Sequence, residues 1–143
     1  MNVGGILKEK GRQVETAGPG ATLNEIAEVL GSRKIGALII VEDNGKIAGI
    51  LSERDIVRAI ANDGPSALKK PASAYMTKKV ITCKESDTVT DLMGSMSKGR
   101  FRHLPVVTNG QLTGIISIGD VVKQRIAEAE FEAEEMKRYI ASV

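Results

Sequence analysis

The sequence contains one segment in two copies, and this internal repeat limits the possible folds more than any other feature. A shift of 66 positions places residues 14–41 on residues 80–107, so that Val14 aligns with Val80 and Leu38 with Leu104. A one-residue difference in the next loop changes the shift to 65, and GKIAGILSERDIV (45–57) then aligns with GQLTGIISIGDVV (110–122). The period is longer than that of solenoid repeats, so two copies predict a pseudo-symmetric pair and not an array.

Each copy has the same predicted order of elements, β-α-β-β-α. A short strand (QVET or KVITC) precedes a helix that opens on TLNE or TVTD, and both tetrapeptides have the form of a capping box. Two apolar runs follow, joined by Asn-Gly at 44–45 and 109–110, which is a strong hairpin signal. A second helix begins at Ser52 in one copy and Ser117 in the other. The order predicts an α+β fold in which the copies pack sheet against sheet.

The C-terminal segment predicts one long helix from Asp120 to Ser142, about 35 Å long at 1.5 Å per residue. Apolar or small residues recur there at spacings of three and four, on one helical face, at positions 118, 122, 126, 129, 133, 136, 140 and 143. Glutamates and then Lys137 and Arg138 occupy the other faces. This helix packs on its own body or on a sister subunit, or it transmits a signal to another protein. Two heptads are short for a free-standing coiled coil.

The unit that ends in Gly-x-hydrophobic-x-Gly-hydrophobic-hydrophobic-Ser-x-x-Asp resembles the CBS domain. The segments YMTKKVITC and RFRHLPVV are similar to the usual opening of a second copy in that family. The resemblance covers residues 6–125 and identifies the chain as a stand-alone tandem CBS pair, or Bateman module. It implies two CBS repeats packed sheet to sheet with pseudo-two-fold symmetry. The expected divisions are repeat 1 at 6–64, a linker at 65–73, repeat 2 at 74–125 and a helical extension at 126–143.

Two Ser-x-x-Asp motifs, Ser52 to Asp55 and Ser117 to Asp120, each follow a glycine-bearing strand. One interpretation is that they only start helices, since they are capping boxes. A carboxylate in a first helical turn also accepts two hydrogen bonds, as the vicinal hydroxyls of a ribose require. The serine hydroxyl and the free helix N–H groups favour a phosphate. The resemblance implies the same division of roles, with the aspartates on the ribose and the serines by the phosphate.

The resemblance further implies two nucleotide sites, each completed by both copies. The site with Asp120 ranks first, because Arg102 and His103 stand where the first copy has Gly36 and Ala37, and arginine offers phosphate a planar fork. The alternative for these two residues is a solvated strand edge. The Asp120 site is expected to contain Thr16, Ile35, Gly36, Arg102, His103, Ile115, Ser117 and Asp120. The Asp55 site is expected to contain Ile50, Ser52, Arg54, Asp55, Val80, Thr82 and Phe101.

Gly49 and Gly114 stand inside the return strands, where glycine weakens a strand unless another group approaches closely. Close packing of the two copies explains them, and so does a flat base lying against the backbone. Ile50 and Ile115 flank that base or belong to the core. The sequence leaves these alternatives open.

Composition argues against several classes of function. Cys83 is the only cysteine and His103 the only histidine, so no intrachain disulfide or cysteine-based metal site is expected, and nothing local supports a catalytic pair. A balance of 20 basic and 18 acidic residues with 3% aromatics argues against a nucleic-acid surface. No apolar run is long enough to span a membrane and no signal peptide is visible, so we expect a cytoplasmic protein.

The predicted function is a regulatory, energy-sensing module and not an enzyme. It binds an adenine nucleotide such as AMP, ADP, ATP or NAD(H) as a ligand, with no catalytic cofactor and no metal. As a homodimer it passes the signal to an unidentified effector protein. The alternative is a structural module that drives oligomerisation and has no physiological ligand.

Overall fold

The computed structural model describes residues 1–142, and Val143, the last residue of the predicted apolar stripe, lies outside the described residues. One helix, α1 (Val3–Lys10), precedes the repeats. The first repeat contains β1 (Thr16–Ala17), α2 (Leu23–Arg33), β2 (Ala37–Val41), β3 (Ile47–Ser52) and α3 (Glu53–Asp63). The second contains α4 (Val89–Gly99), β4 (His103–Thr108), β5 (Gln111–Ser117) and α5 (Ile118–Ser142). The predicted α+β fold with two small sheets and a long last helix is confirmed.

The two sheets share one internal geometry. β2 pairs with β3 and β4 pairs with β5, both antiparallel, and β1 joins the first sheet parallel to β2. The register shifts between Ile40 and Val41 in one pair and between Val106 and Val107 in the other, 66 positions later. The sequence repeat is therefore a structural repeat down to the position of the bulge.

The hairpins form at the predicted Asn-Gly pairs. Asn109 and Gly110 have φ angles of 52° and 78°, and two consecutive positive φ values are those of a type I′ turn. In the first repeat the loop is one residue longer, and Gly45 alone has a positive φ, 83°. The left-handed conformation explains the residue type at Gly45, Asn109 and Gly110, whereas Asn44 stabilises its turn by accepting from Lys46 N–H at 3.0 Å.

The predicted strand KVITC is reduced to a single bridge. Cys83 bonds to β4 through its N–H to Pro105 O (3.0 Å) and through its carbonyl to Val107 N–H (3.0 Å). Residues 79–81, which precede it, line a cavity and do not extend the ladder. Burial raises the pKa of the Cys83 thiol to about 12, with a smaller contribution from the charge of Asp87. The thiol is therefore protonated at neutral pH and is no nucleophile.

The core has two parts, one for each repeat. The second contains Val3, Ile6 and Leu7 of α1, a helix to which no sequence signal was assigned. Asn2 caps α1 by accepting from Gly5 N–H (2.9 Å), and its apolar side chains fill the face of the second sheet. Packing stabilises this helix despite its two glycines, whose helix propensity is low.

The predicted linker is part of the body. Residues 65–73 fold into two short 3₁₀ segments, Pro65–Lys69 and Ala72–Ala74. Ala67 and Ala72 are fully buried in the first core. Small side chains next to prolines let the backbone turn tightly against α2 and α3, so the connection is ordered by packing.

The long helix α5 leaves the body after its first turns. Val121 is the only buried residue of the described helix, whereas Ile126, Met136 and Ile140 are 54%, 59% and 66% exposed. Packing of the helix along its own body, one of the three possibilities given for it, is therefore wrong beyond these turns. Within residues 1–142 no helix combines the length and the apolar character needed to cross a membrane.

Candidate functional site

A cavity of about 750 Å³ lies between the two repeats. Ile50, Ser52 and Asp55 line it from the first repeat, where β3 runs directly into α3. His103 and Ser117 line it from the second repeat, at the starts of β4 and α5. The repeats touch beside it, because a Cβ placed on Gly36 would lie 3.2 Å from His103 Nε2. Neither repeat alone encloses the space.

The Ser52–Asp55 capping box presents a carboxylate to this cavity. Asp55 Oδ2 accepts hydrogen bonds from Ser52 N–H (2.8 Å) and Ser52 Oγ (3.1 Å), and Asp55 N–H donates to Ser52 Oγ (3.3 Å). Both side chains are half-buried. Asp55 Oδ1 accepts no hydrogen bond from residues 1–142. This oxygen is therefore available to a hydroxyl group of a ligand.

The Ser117–Asp120 box has the same geometry but a different neighbour. Ser117 N–H and Oγ donate to Asp120 Oδ2 at 2.8 and 3.0 Å. Lys10 Nζ, at the end of α1, donates to the same oxygen at 2.7 Å and to the carbonyl of Ile115 at 3.0 Å. The ammonium group thus gives this carboxylate a counter-ion, which the Asp55 carboxylate lacks within residues 1–142, while Asp120 Oδ1, like Asp55 Oδ1, accepts no hydrogen bond there.

Lys10 also sets the charge state of Asp120. Burial acts to raise the pKa of this carboxyl, but hydrogen bonds from Lys10 and Ser117, together with the Lys10 charge, outweigh it. The pKa of Asp120 therefore lies below its usual range. Asp120 is ionised and paired at neutral pH, and it does not line the cavity.

The cavity wall carries an excess of positive charge. Two carboxylates, those of Glu53 and Asp55, face five cationic side chains, Arg54, Arg58, Lys79, Arg100 and Arg102. None of these cations forms an ion pair within residues 1–142. An excess of three positive charges around one space raises the local concentration of anions. The arrangement suits a ligand with phosphate groups.

His103 stands at the centre of the wall. Burial lowers its pKa, and the charges of Lys10 and Arg102 act in the same direction, against Glu53 and Asp120. The imidazole is therefore neutral at pH 7 while the cavity holds no anion. A phosphate beside it would favour the protonated form.

Each of the two strand glycines packs against the segment that leads into the other repeat. A Cβ on Gly114 would lie 2.7 Å from Leu7 Cδ2 of α1, and one on Gly49 would lie 2.8 Å from the carbonyl oxygen of Thr77. The backbone of Ile50, next to Gly49, is paired with Thr77 in both directions, at 2.9 and 3.0 Å. Close packing between the two copies therefore explains both glycines, because Leu7 lies within the expected first repeat (6–64) and Thr77 within the expected second repeat (74–125).

The cavity joins residues from both predicted sites. From the Asp55 site it is lined by every predicted residue except Thr82. From the Asp120 site it is lined by Gly36, Arg102, His103 and Ser117, but not by Thr16, Ile35, Ile115 or Asp120. The sequence ranked the Asp120 site first, but the cavity is lined by more of the residues predicted for the Asp55 site. The reason is α1, which covers Ile115 and Asp120 through Lys10.

The sequence analysis omitted several lining residues: Glu53, Arg58, Thr77, Lys79, Ile81, Gly99, Arg100, Ile118 and Gly119. For two of these residues, the sequence contains a pattern from which a position near the site could have been predicted. Arg58 lies four residues after Arg54, on the same face of α3. Arg100 is in the basic segment RFRH and ends α4 with a left-handed φ of 54°. Thr77, Lys79 and Ile81 depend on how the segment 77–81 passes the cavity, and the remaining four lie at helix ends: Glu53, Gly99, Ile118 and Gly119.

Comparison with known proteins identifies relatives across most of the chain. A family model described as CBS domain matches residues 9–62 and 72–126. A crystal structure of a CBS-domain containing protein from Agrobacterium tumefaciens is 47% identical, with a TM-score of 0.85 over 87% of this chain and 92% of that one. A 17.7 kDa uncharacterized protein of Acidianus ambivalens is 37% identical over 73% of this chain. The chain spans 63% of that relative's length, and 22% of a CBS domain-containing protein of Arabidopsis thaliana.

Two similar structures contain ligands. A CBS domain protein from Pyrobaculum aerophilum, complexed with AMP, is 28% identical, with a TM-score of 0.75 over 84% of this chain and 89% of that one. The CBS domain pair of the protein MJ0100, in complex with 5′-methylthioadenosine and S-adenosyl-L-methionine, is 29% identical. Its TM-score is 0.80 over 90% of this chain and 98% of that one.

Proposed function

We propose that this chain, which belongs to the CBS domain family, is a regulatory module that binds an adenine nucleotide in the cavity between its repeats. The observation that carries the proposal is the cavity wall, where five unpaired cations surround the Ser52–Asp55 box. A nucleotide has complementary groups. Its ribose hydroxyls donate to a carboxylate, and its phosphate oxygens accept from guanidinium groups and from the N–H groups of a helix start.

The relatives with ligands support the adenosine part of this proposal, and the charge of the wall supports the phosphate part. One similar structure holds AMP, and another holds 5′-methylthioadenosine with S-adenosyl-L-methionine. S-adenosylmethionine has no phosphate, and its sulfonium gives it a net positive charge because its ammonium and carboxylate cancel, so a wall with excess positive charge disfavours it. AMP, ADP, ATP and NAD(H) therefore rank above S-adenosylmethionine as ligands of this chain.

The Asp55 side of the cavity is the proposed primary site. Asp55 Oδ1 receives the ribose, and the phosphates lie toward Arg102, His103 and the start of α5. The site predicted around Asp120 is a second, weaker site, because the Lys10 ammonium already neutralises that carboxylate and Asp120 does not line the cavity. Binding at the two sites is thus expected to be unequal.

The proposed output is a signal to an effector protein, delivered by a homodimer that senses the energy state of the cell. The alternative, an oligomerisation module without a ligand, is favoured by the exposed apolar residues of α5. It gives no account of unpaired cations that converge on a cavity, so ligand binding is the preferred function.

The test is a thermal-shift and calorimetric panel of AMP, ADP, ATP, NAD⁺, NADH and S-adenosylmethionine, with GTP as the base control. A ligand at about one hundred times its Kd adds about 2.7 kcal/mol to the free energy of unfolding. For a domain of this size that is a rise in Tm of about 5–10 °C. We expect the rise with adenine nucleotides, and none with S-adenosylmethionine or GTP.

Two matched pairs of variants locate the site. Asp55→Asn keeps the helix cap but weakens the ribose contact, and Asp43→Asn in the exposed β2–β3 loop is its control. Arg102→Gln removes a cation from the wall, and Arg33→Gln on α2 removes one outside it. We expect each site variant to weaken nucleotide binding at least about tenfold, with both controls unchanged. Absence of binding by every nucleotide at millimolar concentration would favour the oligomerisation module.

A further inference from the structure

We infer that residues 122–142 of α5, called here the tail helix, pair with the tail helix of a second copy as a parallel, in-register, two-stranded coiled coil. The inference rests on the homodimer proposed above and names the surface through which it forms. The partner is a second copy of this chain, and the contact is independent of the nucleotide cavity.

The apolar stripe of the tail helix is exposed, although Glu128 on another face of the helix pairs with the N-terminal ammonium of Met1 at 3.1 Å. Ile126, Met136 and Ile140 are more than half exposed, and Val122 is 49% exposed. Most of the stability of a helix in a protein comes from packing of its apolar face. An apolar stripe along such a helix therefore implies that another surface covers it.

The stripe has the spacing of a coiled-coil seam. Its described members follow one another at intervals of four, three, four, three and four residues: Val122, Ile126, Ala129, Ala133, Met136 and Ile140. They alternate between the d and a positions of a heptad. The two alanines at the middle let the backbones approach closely, and the larger residues close both ends. Phe131 lies on the outer face and stays exposed in the pair.

The charges beside the seam select a parallel partner. In the parallel arrangement each g residue faces the e residue of the next heptad in the partner. Arg125 then faces Glu130 of the partner subunit, and Glu132 faces Lys137 of the partner subunit. Both contacts are attractive and occur twice by symmetry. Glu130 and Glu132 form no ion pair within residues 1–142, so their charges are available for such contacts.

In the antiparallel alternative, like charges of the two tail helices face each other. When all six stripe residues pair in that orientation, Glu130 faces Glu130 of the partner subunit and Glu132 faces Glu132 of the partner subunit. Lys123 faces Lys137 of the partner subunit in the same arrangement. Like charges at these flanking positions are unfavourable. A shift of one heptad relieves the repulsion but takes stripe residues at one end out of the seam.

Arg125 and Lys137 each form an ion pair within their own helix, and these pairs compete only weakly with the proposed contacts to the partner subunit. Arg125 reaches Glu128 at 3.4 Å and Lys137 reaches Glu134 at 3.6 Å, each one turn away on the same helix. Exposed pairs of this kind contribute little to stability. The tail helix is therefore self-complementary in shape and in charge, as a two-fold symmetric interface requires.

Disulfide trapping in the full-length chain tests the geometry. Ala133→Cys places a thiol in the seam opposite its own copy, and Ala127→Cys places one on the outer face of the same helix. Cys83 is buried with a raised pKa, so the unmodified chain serves as a blank. We expect mild oxidation to give a covalent dimer with Ala133→Cys and none with Ala127→Cys. An antiparallel pair would instead join Ala133→Cys to Ala129→Cys in a mixture, and that result overturns the inference.

Sedimentation equilibrium of seam and charge variants tests the interface itself. We expect the unmodified chain to dimerise, Glu132→Lys to raise the dimer Kd at least about tenfold, and the exchange Glu132→Lys with Lys137→Glu to restore it. Ile126→Lys with Ile140→Lys should give monomers with an unchanged melting curve for the body. A dimer that persists in that variant would overturn the tail interface while leaving the homodimer proposal intact. A monomeric unmodified chain would overturn both, and nucleotide titrations of the same variants report on the cavity separately.

Discussion

Asp55 and Asp120 occupy the same position of the two repeats, yet their carboxylates have different neighbours. Asp55 closes a capping box and keeps one oxygen free of hydrogen bonds from residues 1–142. Asp120 closes an equal box but holds the ammonium of Lys10 at 2.7 Å. The motif provides the carboxylate in both repeats, and in the second repeat a residue 110 positions away supplies it with a counter-ion.

Lys10→Met is expected to open the second site. The substitution removes the cation from Asp120 and from the carbonyl of Ile115, so a ribose hydroxyl finds both acceptors free. Calorimetry should then show a second, weaker binding event for an adenine nucleotide that the unmodified chain lacks. Lys8→Met, on the exposed face of the same helix, is the control. Two equal binding events in the unmodified chain would contradict the role given to Lys10.

His103 should make nucleotide binding depend on pH. Its pKa is lowered in the folded, ligand-free chain, so its contribution to stability is present above about pH 6.5 and is lost as the pH falls through the folded pKa. A bound phosphate raises that pKa, so binding takes up a proton. Nucleotide affinity measured from pH 8 to pH 6 should therefore rise more in the unmodified chain than in His103→Gln. Equal slopes for the two proteins would show that His103 does not face the phosphate.

At the scale of elements, each sheet is covered by the segment that precedes the other repeat. α1 lies on β5 through Leu7 and Gly114, whereas residues 75–77 lie on β3 through Met76, Thr77 and Gly49. A side chain at either glycine would collide with its cover. The elements are thus exchanged across the pair, and the glycines are needed for that exchange.

Leu7 and Gly114 should be energetically coupled. Leu7→Ala removes a fully buried side chain and is expected to cost about 2–5 kcal/mol in urea unfolding. Gly114→Ala overpacks the same contact and is expected to cost about 1–3 kcal/mol. The double variant should lose less than the sum, because the new methyl group fills space that Leu7 vacates.

Gly49→Ala is the comparison for this cycle. Its new methyl group would lie 2.8 Å from the backbone carbonyl oxygen of Thr77. A backbone carbonyl cannot move away by changing rotamer, as a side chain can. Leu7→Ala should therefore give it no relief, and strictly additive losses for Leu7 and Gly114 would argue against their contact.

At the scale of the molecule, the exchange of covers makes the two repeats one folding unit. The second core contains α1, whose chain continues directly into β1 of the first repeat. The first core contains the connection to the second repeat, through Ala67 and Ala72. Loss of either core therefore removes a cover from the other.

We expect one cooperative unfolding transition, with amides of β2 and β4 exchanging hydrogen at the same free energy. Leu7→Ala should lower that free energy equally in both strands, although Leu7 contacts only the second core. Hydrogen exchange measured by mass spectrometry gives both values in one experiment. Protection lost in β4 and kept in β2 would show two independent domains.

The parts of this protein that local sequence determines are those whose hydrogen bonds lie within a few residues. The repeat, the Asn-Gly hairpins, the Ser-x-x-Asp boxes and the long last helix were all predicted, because turn chemistry, capping and helical spacing act over short distances. The charged positions along the tail helix are equally readable, since a helix of known phase places them.

Contacts between remote segments determine the surroundings of the Asp55 and Asp120 carboxylates. The Lys10–Asp120 pair, the α1 cover on Gly114 and the passage of residues 79–81 along the cavity all join segments that are remote in sequence. The hydrophobic periodicity of the sequence does not predict such contacts, because each contact depends on where packing places a whole helix or strand. Local sequence places the same Ser-x-x-Asp box in both repeats, whereas packing gives the two boxes different neighbours, since α1 contributes a cation to one carboxylate and none to the other.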